Sequence, residues 1–213
     1  MQDIAVTFSY GKDAAAQVVE TTRKWIERAV IGLNLCPFAK TPHVKHRIRY
    51  VVSGASDADR LLDDLEYELT ALHLADPATT ETTLLIHPLA MNRFLDFHFF
   101  LSEAEAMLAQ LGLREHLQIA PFHPAFEFGD APENAVENFS NRSPYPTLHL
   151  LRESSVARAV SSISDPAAIY QNNIQTLRLL GHDGCQRLWS EIMDGLPGAP
   201  GIAGNYCSRK PQV

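Results

Sequence analysis

The chain predicts an α/β fold: one domain with a mixed, mostly parallel sheet of about four strands flanked by helices. Three observations carry that expectation. Four short runs have strand character, at about 46–53, 82–86, 117–121 and 147–152. Amphipathic helical segments lie between most of them. Strand–helix–strand order favours parallel pairing with right-handed crossovers. The 213 residues suffice for one sizeable core. No internal repeat or obvious linker divides them, so the domain is placed at 14–196, with flexible termini at 1–13 and 197–213.

The elements follow in order. From Ala14 to Leu35, Val18, Thr22, Trp25, Ala29 and Leu33 share one helical face, and Arg23, Lys24, Glu27 and Arg28 cover the other. Pro37 stops this helix near Cys36. In the first strand Ile48, Tyr50 and Val52 alternate. Ser56-Asp57-Ala58-Asp59 opens a helix with a Leu61, Leu62, Leu65, Leu69, Leu72 stripe, which Asp76-Pro77 ends. The second strand, Thr82–Ile86, is closed by His87-Pro88. Residues 91–113 are expected to hold two helical pieces, because Ser102 with Glu105 is a fresh start signal, and Gly112 marks their stop. The third strand runs into Phe122-His123-Pro124. A long irregular stretch, 125–146, precedes the fourth strand. Ser154 starts a helix, Asp165-Pro166 starts another that ends at Gly181, and a last one covers about Asp183–Leu196.

Composition excludes several classes. Hydrophobic residues at 46% and charged residues at 20% are globular values. A net charge of −7 repels phosphate backbones, so nucleic acid is not an expected partner. The basic run Lys40, Lys45, Arg47, Arg49 reads as a solvated strand edge. No run approaches the ~20 apolar residues of a membrane span, and the N-terminus lacks the basic and apolar regions of a secretory signal. Cys36, Cys185 and Cys207 are too few and unpaired for a disulfide framework. A cytoplasmic location is therefore expected, with a small molecule as partner and the oligomeric state open. The chain also lacks a glycine-rich phosphate loop, a nucleophile elbow and paired zinc knuckles.

Several segments resemble one family. They are Gly32-Leu33-Asn34-Leu35-Cys36-Pro37-Phe38-Ala39, Thr83-Leu84-Leu85-Ile86-His87-Pro88, Phe122-His123-Pro124 and the long run from Asn141 to Glu153. Together they look like the bacterial family named domain of unknown function 1415, across about Ala14–Trp189. The resemblance implies a conserved bacterial domain and no particular reaction.

Chemistry-bearing residues concentrate in the same segments. If their strands are parallel, His87 and His123 emerge together at the carboxyl edge, where open α/β sheets hold ligands. A proline after each fixes where the imidazole leaves the strand. Two such histidines can serve as acid and base or ligate a transition metal ion; each can also simply satisfy turn backbone. Cys36 is a third candidate, as metal ligand, nucleophile or sensor thiol. Against it, the second cysteine of a redox pair is missing and it sits at a helix C-terminus, which disfavours thiolate. In the long stretch, Arg142 is rigidly flanked and suits capture of a carboxylate or phosphate, unless it pairs with Glu127 or Glu137. Asn141 and Tyr145 stand beside it, and Asn138 and Asn141 also suit Asx turns. His149 is a strand histidine, a candidate substrate contact or a satisfied partner of its neighbours. Arg152 and Glu153 are expected to cap or pair locally.

Three functions stay open. The first is an enzyme acting on a small anionic metabolite, with His87, His123 and Cys36 as reacting groups or metal ligands. In it Arg142, Asn141, Tyr145 and His149 bind substrate. The second is a non-catalytic ligand-binding or interaction module anchored by exposed Phe126, Phe128 and Tyr145. The third is a thiol sensor using Cys36.

Overall fold

A computed structural model describes residues 5–6, 11–129, 131–132, 134–161 and 167–194. Helix α1 (Lys12–Trp25) continues into a π-helical stretch (Ile26–Ile31) and is followed by a short α2 (Lys40–Val44). Strand β2 (Ile48–Val52), α3 (Ala58–Leu74), β3 (Thr82–Ile86), α4 (Phe94–Gln110) and β4 (Leu117–Phe122) alternate after that. A 3-10 turn (Val136–Ser140) precedes β5 (Thr147–Arg152), α5 (Glu153–Ser161) and α6 (Ala167–Met193). The segment expected to be a flexible leader contributes a two-residue edge strand, β1 (Ala5–Val6), and α1 begins at Lys12. The Asp165-Pro166 helix start and the tail 197–213 lie outside the described residues.

The α/β class holds, but the mostly parallel sheet does not. The strand order is β1-β2-β3-β5-β4. β1, β2 and β3 are parallel, whereas β5 runs antiparallel to both β3 and β4. Among the four longer strands, only β2 and β3 form a parallel pair. The physical reason is the β4–β5 connection. Its described residues form a 3-10 turn and no crossover helix, so the chain returns antiparallel. β4 becomes an edge strand, the position in which the missing N–H of Pro121 is tolerated.

Helices cover both faces. Tyr50, Val52, Leu84 and Ile86 point to one face and meet Val18, Trp25, Ala29, Leu177 and Trp189 of α1, the π stretch and α6. Val51, Leu85, Leu148 and Leu150 point to the other and meet Leu61, Leu65, Leu69 and Leu72 of α3 with Phe97, Phe100, Ala104 and Leu108 of α4. That last stripe corrects the two-piece expectation for 91–113. It runs at unbroken helical spacing past exposed Ser102, and burying it outweighs a capping signal.

Local chemistry sets the helix ends. Asp57 caps α3 by accepting the Arg60 N–H at 3.0 Å. Gly112 ends α4 in the left-handed region at φ 70°. Gly181, at φ 67°, bends α6 where a stop was expected, and helix continues from it to Met193. The π stretch replaces the last turns of the predicted first helix. Gly32 N–H bonds to Glu27 O at 3.0 Å, five residues back, and a Cβ on Gly32 would lie 2.3 Å from Arg28 O. The widened turn brings Leu35 into the core and Cys36 beside it.

Arg152 does more than pair locally. Its guanidinium donates to Leu72 O and Ala75 O at 2.6 Å each and to Thr80 O at 3.2 Å, stapling the C-terminus of α3 to the sheet. Arg49, read as part of a solvated edge, pairs bidentately with buried Glu68 of α3 at 2.8 and 3.0 Å.

Candidate functional site

β3 and β4 run in the same direction although β5 lies between them. Their carboxyl ends therefore reach one edge of the sheet, and His87 and His123 with them. Both backbones hold the returning chain: His87 N–H donates to Pro146 O at 3.0 Å and His123 N–H to Asn141 O at 3.2 Å. Both rings stack on Phe97 in the first turns of α4, with centroids 5.8 and 5.2 Å away. Phe94 adds a second aromatic wall 5.4 Å from His123. Both histidines are buried.

Their hydrogen bonds differ in a way that bears on chemistry. His123 Nδ1 accepts the Ala125 N–H at 3.0 Å, so its proton sits on Nε2, which donates to Met91 O at 3.0 Å. Both nitrogens are committed. His87 Nδ1–H donates to Ala90 O at 3.1 Å. That leaves Nε2 as a bare lone pair, buried and without a partner among the described residues. The two histidines thus tie consecutive carbonyls of the 88–93 loop, in which Met91 takes a left-handed φ of 55°. Burial pushes each imidazole pKa from 6.5 down to about 4, against the raising effect of the carbonyl bonds, and in His87 the nearby His123 pushes the same way. Both rings are neutral at pH 7.

The remaining predicted residues are placed elsewhere. Cys36 packs against the core on the opposite face of the sheet from the Phe97 cluster, so it does not join His87 and His123 as a third ligand. Among the described residues, no three His, Cys, Asp or Glu gather where they could hold a metal ion. Burial raises the Cys36 thiol pKa although the backbone of Phe38 and Ala39 lowers it in part, which keeps the thiol protonated. His149 lies mid-strand on the face of Cys36. Thr82 Oγ1 donates to Leu150 O at 2.6 Å and so receives the His149 Nε2–H at 2.7 Å. Phe122 stands 6.2 Å from the His149 ring and 5.2 Å from the Trp25 ring.

Several aromatic and apolar residues described in the 125–146 stretch pack inward. Phe126, Val136, Phe139 and Tyr145 are buried, which removes Phe126 and Tyr145 as exposed docking anchors. Asn141 holds the neighbouring chain: its Nδ2–H donates to Pro121 O at 3.3 Å and its Oδ1 accepts from Ser140 at 3.0 Å. Asn138 Oδ1 accepts the Phe128 N–H at 3.1 Å, ten residues away, where a local Asx turn was an expected option. Arg142 donates to Phe126 O at 3.3 Å and lies 4.6 Å above the Phe139 ring. Glu137, one of its expected partners, pairs with Arg178 instead.

Sequence reasoning missed Phe97 and Thr82 as site neighbours. Phe97 looks like any core aromatic on an amphipathic helix, and no spacing signal separates it from its neighbours.

A family model described as a protein of unknown function, DUF1415, matches residues 17–187. The chain belongs to this family. The DUF1415 match spans every strand from β2 to β5 and both histidines. No curated protein and no solved structure gives a match. Among the described residues, no helix is long and apolar enough to cross a membrane.

Proposed function

We propose that this DUF1415 protein is a bacterial cytoplasmic enzyme that acts on a small anionic metabolite at the carboxyl edge of β3 and β4. One observation carries the reading: the buried, unpartnered Nε2 lone pair of His87. Buried polar atoms in native proteins are overwhelmingly hydrogen-bonded, and an orphan calls for an explanation. A neutral imidazole whose tautomer is held by a backbone carbonyl is a competent hydrogen-bond acceptor and base. His123 and Phe97 position it, and the 88–93 loop closes over it. Because both ring nitrogens of His123 are committed, its role is positioning rather than proton transfer. The anionic character of the ligand rests on Arg142, whose guanidinium donates to Phe126 O in the stretch that follows His123.

A metal-dependent version has less behind it, since His87 alone of the proposed His87, His123 and Cys36 set has a lone pair aimed away from protein donors at that edge. The test is a thermal-shift panel of carboxylate and phosphate-ester metabolites on wild type and His87→Asn, with elemental analysis of both. Asparagine can place an N–H where Nδ1–H stood, yet it lacks the Nε2 lone pair. A compound that raises the wild-type melting temperature saturably and leaves His87→Asn unchanged supports the reading. An equal response in both proteins rules out His87 as the contact.

A further inference from the structure

His87 and His123 are 0% and 1% exposed, so a compound reaches the Nε2 lone pair of His87 only if some part of the chain moves. The 88–93 loop is the part built to do so. It turns directly after His87, with the Ala90 N–H on His87 O at 3.3 Å, and joins β3 to α4. Leu89, Asn92 and Arg93 are exposed and Met91 is partly buried, whereas Ile86 and Phe97 on either side are fixed in the core.

Two imidazole bonds hold the loop down. His87 Nδ1–H donates to Ala90 O at 3.1 Å and His123 Nε2–H to Met91 O at 3.0 Å. Each is a single bond between neutral groups, which water replaces at small net cost once the loop lifts. Met91, under the second bond, takes a left-handed φ of 55°. An L-residue with a side chain gains by leaving that region, so the closed loop holds strain that opening releases.

The same contact decides the chemistry of His87. A carbonyl can only accept, so Ala90 O keeps the ring proton on Nδ1 and leaves Nε2 bare. With Ala90 O withdrawn, water meets both nitrogens and neither tautomer is imposed.

We propose that the 88–93 loop is the gate of the His87 site, latched by His123 on Met91 O, and that its closure is what sets His87 as a base with its lone pair on Nε2. This rests on the reading above that His87 meets a ligand, and it adds how the ligand enters and when the base is set.

The test uses the full chain and no metabolite. Diethyl pyrocarbonate acylates a neutral imidazole nitrogen, and peptide mass spectrometry follows the reaction at His87, with exposed His98 as the reference. The expected result at pH 7.5 is slow acylation of His87 at a rate that stays constant through low urea concentrations, as a local opening requires. His123→Phe keeps a ring against Phe97 but has no N–H for Met91 O. It should speed acylation of His87 about five- to tenfold relative to His98. Ring nitrogen-15 spectra should show His87 passing from the Nδ1–H form towards a mixture of tautomers. If this variant does not fold, the wild-type urea series decides alone. Acylation of His87 that appears only with global unfolding overturns the proposal, as does a folded His123→Phe in which the His87 rate and tautomer are unchanged. The gate is read without a ligand and the metabolite panel with one, so the two readings can fail separately.

Discussion

Acidification should destabilise this protein well before its carboxylates titrate, and the loss can be estimated from His87 and His123. Each is buried neutral with a pKa of about 4, against 6.5 when exposed. A folded-state pKa below the unfolded one means that the unfolded chain takes up protons first as pH falls. Stability is therefore full above about pH 7 and declines between pH 6.5 and 4. A shift of about 2.5 units corresponds to roughly 3.4 kcal/mol per histidine once both states are protonated. At pH 5 the loss is about 2 kcal/mol each, or about 4 kcal/mol for the pair, a large part of an ordinary folding free energy. His149, also lowered to about 4 by burial, acts in the same direction, with its contribution reduced by solvent at its half-buried ring. The assay is urea unfolding followed by tryptophan fluorescence at pH 7.5 and pH 5.0. His87→Asn should recover about 2 kcal/mol of the difference. A wild-type stability that is flat between these pH values would refute the reasoning, since it would mean that both rings titrate as they do in water.

Four further outcomes follow from the packing. Arg152→Met should cost about 3 kcal/mol in urea unfolding, because it leaves the last carbonyls of α3 buried without their donor; a loss under 1 kcal/mol would show that water replaces the guanidinium. Glu68→Gln should destabilise by about 1–3 kcal/mol by leaving the half-buried Arg49 uncompensated, whereas replacing both residues with apolar side chains should recover most of it. Gly32→Ala should lower the melting temperature and straighten the π stretch, because its Cβ has no room beside Arg28 O; an unchanged melting temperature would contradict that steric account. Cys36 should react with iodoacetamide far more slowly than a free thiol at pH 7.5, as mass spectrometry of the alkylated peptide will show.

Much of the fold was legible because its signals are periodic. The Leu61, Leu65, Leu69, Leu72 stripe and the alternation of Ile48, Tyr50 and Val52 can bury only one way, and both do. The direction of β5 was not legible. It depends on how the 123–146 connection folds, and that stretch is organised by single long-range bonds such as His123 N–H to Asn141 O. His87 and His123 still reach one edge because β5 inserts between two strands that share a direction. Cys36 does not join them, since the helix it follows packs on the other face of the sheet, and the Ala14–Leu35 periodicity does not say which face that helix covers. The role of Arg152 is not legible locally because its partners lie more than 70 residues away in sequence.

The central claim, a small anionic substrate acted on at the His87 edge, is tested most directly by a conversion assay. The purified protein would be incubated with a defined mixture of carboxylates and phosphate esters and the mixture followed by mass spectrometry, beside His87→Asn. The account predicts that one component is consumed and one product appears with wild type, and that the conversion is lost in the variant. A compound that binds in the thermal-shift panel yet persists unchanged with wild type would contradict an enzyme and make this edge a binding site.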